Sequence, residues 1–466
     1  MIALSLKEIA EAVSGKLVGN AETMVTGSVE TDSRLCRNGS IFVAKPGEIT
    51  DGHLFVPNAI ANGAVVAIVE RELPDDISQI VVEDSVIALG RLASYVVGKV
   101  RALGKLKVIA VTGSNGKTTT KNMLREILSQ FGNTVAPQES YNNEVGAPYS
   151  MLRIAEDTEF LVLEYGADGL GSISYLVEIC RPDIAIELKV GMAHAGEFGG
   201  IEITEKIKAE LVTDLFSDDV ALLNTDDYRV AGMAQKTKAK VITFGTAADA
   251  DYRASNVGLT ISGTNFLFST PEGFSSEVNL RILGEHHVYN ALASLSVAGV
   301  LGLDLTKSIQ AIEAMTLAER WRMQLGTAAS GLTVINDAYN ASPDSMKAAL
   351  VTLAELGKQS GKRTVAVLGE MAELGEFSAQ EHDAIGRLVV RLNISQLVVV
   401  GQGAKLIHMA AGLEGSWDGE SKFFEEISQA LEYLRGMLKG DEILLVKSSK
   451  SANLRFLGDD LLEAKN

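Results

Sequence analysis

At 466 residues the chain is longer than a single hydrophobic core usually supports, so two to four domains are expected. Hydrophobic residues make up 46% and charged residues 22%, ordinary for a soluble globular protein. No run of about eighteen uncharged apolar residues is present, which excludes a membrane-spanning helix. Sixty acidic residues against 42 basic ones give a net charge of −18, a field that repels polyanions and excludes nucleic acid as a partner. A small phosphorylated ligand stays compatible with that field, because oriented backbone donors act locally.

The chain starts directly in a helix-like pattern (Leu4, Ile9, Ala10, Val13), without the basic head and apolar run of a signal peptide. Cys36 and Cys180 have no motif spacing and read as buried free thiols in a reducing compartment, so a cytoplasmic protein is expected. Residues 1 to about 100 read as a small mixed unit with β-like runs at Ser40–Ala44, Ala64–Val69 and Gln79–Val82. From 101 to 317, apolar runs alternate with helical stretches: Lys107–Val111, Phe160–Leu163, Ile184–Leu188, Val220–Leu223 and Val241–Phe244. That alternation predicts an α/β unit with a largely parallel sheet. Residues 251–283 read as a β-rich insertion, followed by a helix from His287 to about Leu301. After a boundary near Leu317–Trp321, residues 318–466 repeat the α/β grammar at Leu332–Ile335, Thr364–Leu368, Gln396–Val400 and Ile443–Val446. Three domains of α/β class are therefore expected.

The sharpest chemical signal lies between the run Lys107–Val111 and the helical pattern that begins near Asn122. Thr112-Gly-Ser-Asn-Gly-Lys-Thr-Thr-Thr120 is a glycine-rich turn between strand and helix. Gly113 and Gly116 allow close backbone approach, and the helix N-terminus aims N–H donors at an anion. Lys117 can neutralise outer phosphates, and Thr118 can reach a magnesium ion. Gly113 and Gly116 replace the wider glycine spacing of the general phosphate loop, which would want glycine at Val111.

In open parallel sheets ligands sit beyond the carboxyl ends of the strands. Glu164 follows Phe160–Leu163 and suits a hard cation, or else an edge salt bridge. His194 follows the run Ile184–Leu188 and reads equally as a ligand or as a structural histidine. The stretch Glu202–Leu215 carries Lys206, Lys208 and Glu210, which by composition alone is a solvated charged helix face.

Together these segments resemble the Mur ligase family, ATP-dependent enzymes that extend the peptidoglycan stem peptide. The resemblance runs nearly end to end. Residues 112–120 look like the family's ATP loop, placing Gly113, Ser114, Asn115, Gly116, Lys117, Thr118 and Thr119 at the nucleotide. Tyr141-Asn-Asn-Glu-Val-Gly-Ala-Pro148 resembles the N-N-E-I-G-V-P segment and implies Asn142 or Asn143 near phosphate and metal. Leu163-Glu-Tyr-Gly-Ala167 and Ala193-His194 resemble the segments that supply magnesium ligands, here Glu164 and His194. Ile207-Lys-Ala-Glu210 resembles A-K-x-E, which makes Lys208 rather than Lys206 the carbamylated lysine. Gly284-Glu-His-His-Val-Tyr-Asn-Ala291 implies Asn290 at the adenine, while Arg320 is matched to the phosphate-contacting arginine and Asp337 to the ribose-contacting aspartate.

Within the family, Asn336-Asp-Ala-Tyr-Asn-Ala-Ser-Pro-Asp-Ser-Met346 and Gly369-Glu-Met-Ala-Glu-Leu-Gly375 resemble the member that adds a dipeptide. Tyr339 and Asn340 then fall at the substrate. Thr31-Asp-Ser-Arg34 and Asp51-Gly-His53 resemble uridine-nucleotide segments, implicating Ser33, Arg34 and Asp51. Several positions depart from the family: Lys189 in Leu188-Lys-Val-Gly191, Gly171-Ser-Ile173, Ala318-Glu319 before the arginine, and Lys447-Ser-Ser-Lys-Ser451. The resemblance implies a cytoplasmic, monomeric ligase with ATP and Mg²⁺ as cofactors. It would join D-alanyl-D-alanine to UDP-N-acetylmuramoyl-tripeptide through an acyl phosphate, with a hinge near residues 318–320. A ligase adding a single amino acid or making folyl-glutamate bonds, and a phosphate-loop NTPase acting as a switch, are the alternatives.

Overall fold

The computed structural model describes residues 1–466 except 48–49, 138–139, 194, 317–319, 416, 418 and 464–466, and Ala195 through its backbone alone. The architecture is mixed α/β, built on three main sheets within residues 16–81, 107–280 and 324–447.

The first sheet runs in the order Lys16–Val18, Ser78–Val81, Ala64–Val69, Ser40–Val43, Val29–Glu30. It is parallel except at its Lys16–Val18 edge. The short strand Leu4–Ser5 pairs with Met24–Val25, and Ser5 closes a capping box on helix Leu6–Ala12. Helix Ser85–Arg101, absent from the sequence expectations, joins this unit to the central sheet. Its buried face (Ala88, Leu92, Val96, Val100) belongs to one continuous core with Leu4, Val66, Leu161 and Ala185.

The nine-stranded central sheet carries the site. Its parallel part runs Thr134–Val135, Phe160–Glu164, Lys107–Thr112, Ile184–Glu187, Val220–Asn224, Lys240–Gly245. The middle strands are covered on both faces, which is why they read as unbroken Val, Ile, Leu and Ala runs. The expected β-rich insertion is no separate module: Tyr252–Thr260, Gly263–Ser269 and Ser275–Leu280 extend this same sheet as an antiparallel meander. Helix His286–Val300 lies against the phosphate-loop helix Lys117–Leu128.

The third sheet, in the order Gln324–Thr327, Thr333–Asn336, Glu442–Lys447, Arg363–Leu368, Gln396–Val400, Glu420–Phe424, is parallel apart from its first strand. One core lies under each of its faces. Its carboxyl ends, with Asp337 and Lys447, face the phosphate loop across a cavity lined by both units. Both cysteines are buried and unbridged. Among the described residues no helix is long and apolar enough to cross a membrane.

Candidate functional site

Strand Lys107–Thr112 breaks at Gly113 (φ +145°) and re-enters helix at Lys117 through Gly116 (φ +91°), both in backbone conformations that glycine tolerates. Gly116 has a second reason: a Cβ there would lie 2.4 Å from Asn290 Oδ1. Asn290 is held in place by Thr120 Oγ1, which donates to its Oδ1 at 3.3 Å, and by the His287 ring nitrogen 3.2 Å from its Nδ2. Ser114 locks the loop to the next strand connection, donating to the Gly191 carbonyl and accepting from its N–H at 2.8 Å. Lys117 Nζ folds back to donate to the Gly113 carbonyl at 2.7 Å, and burial lowers its pKa. The loop is thus fixed in shape between strand and helix N-terminus, with the Lys117 amine folded against it.

Two cavities of about 260 and 400 Å³ meet at this loop and share Asn115, Gly116, His286 and Asn290. The smaller holds Lys117, Thr118, Ser140, Asn142, Glu164, Asp337, Tyr339, Asn340 and Lys447. The larger runs on past Asn224, Asp227 and Tyr289. An end with converging cations and a roomier extension suit a nucleoside polyphosphate.

Glu164 ends its strand fully buried. Its Oε2 lies 3.4 Å from Thr118 Oγ1, which in turn lies 3.1 Å from Ser140 Oγ. Its Oε1 has no hydrogen-bond partner among the described residues but sits 3.5 Å from the Nζ of Lys121, whose side chain is also fully buried. These oxygens are hard donors with spare lone pairs, and they fit a small divalent cation. His194 lies outside the described residues, so its expected place beside Glu164 is neither met nor missed.

On helix Ile201–Thr213, Lys206 is exposed whereas Lys208 is 3% exposed, so the stretch is not a uniformly solvated face. Burial first, then the Lys117 charge, lowers the Lys208 pKa to about 7. Glu210 turns outward and caps the N-terminus of helix Ser172–Ile179, accepting from Gly171, Ile173 and Ser174 N–H at 2.7–3.1 Å. Glu187, at the end of the neighbouring strand, is fully buried, and neither of its oxygens has a hydrogen-bond partner among the described residues. Desolvation pushes its pKa well up.

From the third sheet, Asp337 accepts from Met323 N–H at 3.0 Å and from Lys447 Nζ at 2.5 Å. Tyr339 stacks under Arg322, with the guanidinium 4.5 Å from the ring centroid. Arg320, the expected phosphate-contacting arginine, is not among the residues lining this cavity. Arg320 is drawn away from the cavity by Asp459 at 3.1 Å and lies over Trp321. Arg322 lines the cavity instead, its Nε buried and unpartnered. Two arginines separated by one residue in Arg320-Trp-Arg322 point to opposite sides, and residue spacing alone does not say which.

The other expected positions scatter. Asn142 lines the phosphate cavity, while Asn143 uses its Oδ1 to cap Gly146 N–H at 2.9 Å. Ser33 is buried in a 3-10 turn, and Arg34 is engaged by Asp32 at 2.6 Å. Asp51 is held by Arg71 and by the His53 ring, both within 2.7 Å. None of Ser33, Arg34 and Asp51 lines the phosphate cavity. Lys189 pairs at 3.4 Å with Asp344, which also accepts from Met192 N–H at 3.2 Å. It therefore bridges two units while also lining the larger cavity. The sequence reading missed Lys121, Ser140, His286, His287 and Arg322. The paired histidines stood inside a quoted motif, and burial lowers the pKa of both, His286 to about 4.

Comparison with known proteins agrees with this layout. Residues 26–95 match the Mur ligase family catalytic domain, 111–298 the Mur ligase middle domain and 321–450 the Mur ligase glutamate ligase domain. The UDP-N-acetylmuramoyl-tripeptide–D-alanyl-D-alanine ligase of Mycobacterium leprae is 39% identical, with 99% of each chain covered. The enzyme of the same name from Escherichia coli is 33% identical over 97% of each. A crystal structure of MurF from Acinetobacter baumannii superposes with a TM-score of 0.90 at 33% identity, covering 99% of each chain. MurF from Thermotoga maritima, solved in complex with ADP, gives a TM-score of 0.80 at 26% identity, covering 94% of this chain and 98% of that one. With matched segments spanning all three sheets and relatives above 30% identity along the whole length, the chain belongs to the Mur ligase family.

Proposed function

We propose that this chain is an ATP-dependent ligase that joins D-alanyl-D-alanine to UDP-N-acetylmuramoyl-tripeptide, releasing ADP and phosphate. The observation that carries it is the phosphate cavity, walled by Lys117, Thr118 and Glu164 from one sheet and by Arg322, Asp337, Tyr339 and Lys447 from another. Its full-length likeness to ligases of that name supplies the substrates.

ATP supplies the γ-phosphoryl group that converts the tripeptide's terminal carboxylate into an acyl phosphate, leaving ADP. The dipeptide amine then attacks the acyl carbon, loses a proton and expels phosphate as the C–N bond forms. The chain's part is positioning and charge neutralisation. Gly113–Gly116 hold the phosphates through backbone N–H groups, and Lys117 and Arg322 neutralise them from opposite sides. Asn290 and the larger cavity receive the nucleoside, with Asp337 at the ribose. Tyr339 and Asn340 face the reacting end. Magnesium, when bound, offsets phosphate charge, and Thr118, Glu164, His194 and Lys208 are the residues that would hold it. A buried Lys208 with pKa near 7 has a neutral amine fraction able to take up CO₂, and the resulting carbamate is an anionic oxygen donor. Ser33, Arg34 and Asp51 are assigned to the uridine nucleotide, Asn142 and Asn143 to the peptide end. Residues 1–100, 101–317 and 318–466 are assigned as substrate, ATP and dipeptide domains of a cytoplasmic monomer.

The deciding experiment is phosphate release with ATP, magnesium and UDP-N-acetylmuramoyl-tripeptide. Release that requires D-alanyl-D-alanine and yields a pentapeptide by mass supports the assignment. Release with a single amino acid, or with no acceptor, overturns it. Lys208→Ala is expected to lose activity and regain part of it with short carboxylic acids. A fully active Lys208→Ala enzyme refutes the carbamate.

A further inference from the structure

Lys121 lies one turn beyond the phosphate loop on helix Lys117–Leu128, among residues that otherwise pack as core. A fully buried ammonium is costly and persists only against an opposite charge. Here that charge is Glu164, at the carboxyl end of the adjacent strand, with Nζ 3.5 Å from Oε1 and both side chains fully buried. The two carboxylate oxygens are thereby made unequal. Oε1 faces Lys121 and makes no hydrogen bond among the described residues, while Oε2 faces Thr118 Oγ1 at 3.4 Å, on the side of Ser140 and the cavity.

We propose that Lys121 is a positioning residue that holds the inner oxygen of Glu164, so that this carboxylate meets a divalent cation through Oε2 alone. The inference rests on the reading of Glu164 as a metal ligand in the proposed function. Its content is specificity. A carboxylate limited to one oxygen suits the tight octahedral shell of Mg²⁺, whereas a free one also serves bidentately, which larger Ca²⁺ accepts and Mg²⁺ does not. A protein-borne cation at Oε1 screens that second mode. It also keeps the buried carboxylate compensated between turnovers, when phosphate and metal have left.

The test uses the full chain with ADP and Mn²⁺ as a paramagnetic probe, displaced in turn by Mg²⁺ and by Ca²⁺ and followed by electron paramagnetic resonance. Lys121→Met is expected to move the ratio of the two displacement constants about tenfold toward calcium. Lys121→Arg, which keeps a cation, should retain the wild-type ratio. Lys121→Gln carries the same expectation as Met should that variant fail to fold. An unchanged ratio in the uncharged variants overturns the proposal, as does an equal shift in the arginine variant. Glu164→Gln separates the two levels. If it binds Mn²⁺ as tightly as wild type, the metal is not on Glu164, and the underlying reading fails together with the inference.

Discussion

Glu187 shows how one side chain couples the site to solution conditions. It is buried, hydrogen-bonded to nothing among the described residues, and placed in register with Thr112 of the phosphate-loop strand. Desolvation raises its pKa well above the ordinary carboxylate value, with the Lys208 and Lys117 charges opposing. A raised folded-state pKa means that the native protein binds a proton the unfolded chain has already lost. Stability from this group is complete below the unfolded value and drains away as pH rises toward the folded one. Glu187→Gln removes that dependence. Its melting temperature should gain on wild type progressively between pH 5 and pH 8, and parallel melting curves over that range would refute this. Lys208 pulls the other way. Its lowered pKa makes the native state proton-poor between about 7 and the ordinary lysine value, so its contribution rises with pH across that window. The two buried groups oppose each other in charge and in pH response.

Among the elements, helix Ser85–Arg101 best separates local preference from context. Gly90, Gly98 and several β-branched residues weaken its helical signal. Gly90 is there because Tyr175 crosses it closely: a Cβ would meet Tyr175 Oη at 2.6 Å. The start is nonetheless well specified, since the Asp84 carboxylate accepts from Val86 and Ile87 N–H at 2.8 and 2.9 Å. Asp84→Ala should therefore cost about 1 kcal/mol in denaturant unfolding. Helix Ser378–Arg391 works differently, through one histidine. Buried His382 accepts from Met371 N–H at 3.0 Å and contacts the Ser378 carbonyl at 2.7 Å. It thereby fixes the Gly369–Gly375 loop, which packs against Gly196 of the central unit.

Across the whole molecule, the site exists only where sheets meet. Asp344, in the first turn of helix Pro343–Ser360, reaches Lys189 and Met192 N–H, and Ser342 reaches Asn115 Oδ1 at 3.2 Å. These contacts tie the third unit to the phosphate loop and its neighbour. The Lys189 and Asp344 side chains are 47% and 27% exposed, so their pairing is worth at most about 1 kcal/mol and should weaken with salt. A double-mutant cycle of Lys189→Ala and Asp344→Ala, read by urea unfolding at low and high salt, should show that coupling energy. Asp344→Ala alone should cost more than Lys189→Ala, because it also orphans the Met192 N–H. Zero coupling at low salt would mean that the pair does not hold the units together.

By itself the sequence determined the class of fold, the glycine-rich loop and Glu164 at a strand end, while Lys208 was singled out among neighbouring lysines only by the resemblance of its segment to a family motif. Each depends on residues close together in the chain, where glycine spacing and runs of Val, Ile and Leu report directly on backbone and burial. It did not reveal Lys121, whose role is visible only once helix Lys117–Leu128 lies against strand Phe160–Glu164. Nor did it point to Arg322, which lines the cavity, or to the pairing of Arg320 with Asp459, 139 residues further on. Lys189, a departure from the family pattern, likewise gave no sign of its partner until Asp344 was placed opposite it. Tertiary structure decided these points because an ionised side chain goes where its counter-charge is, and the counter-charges arrive from distant segments.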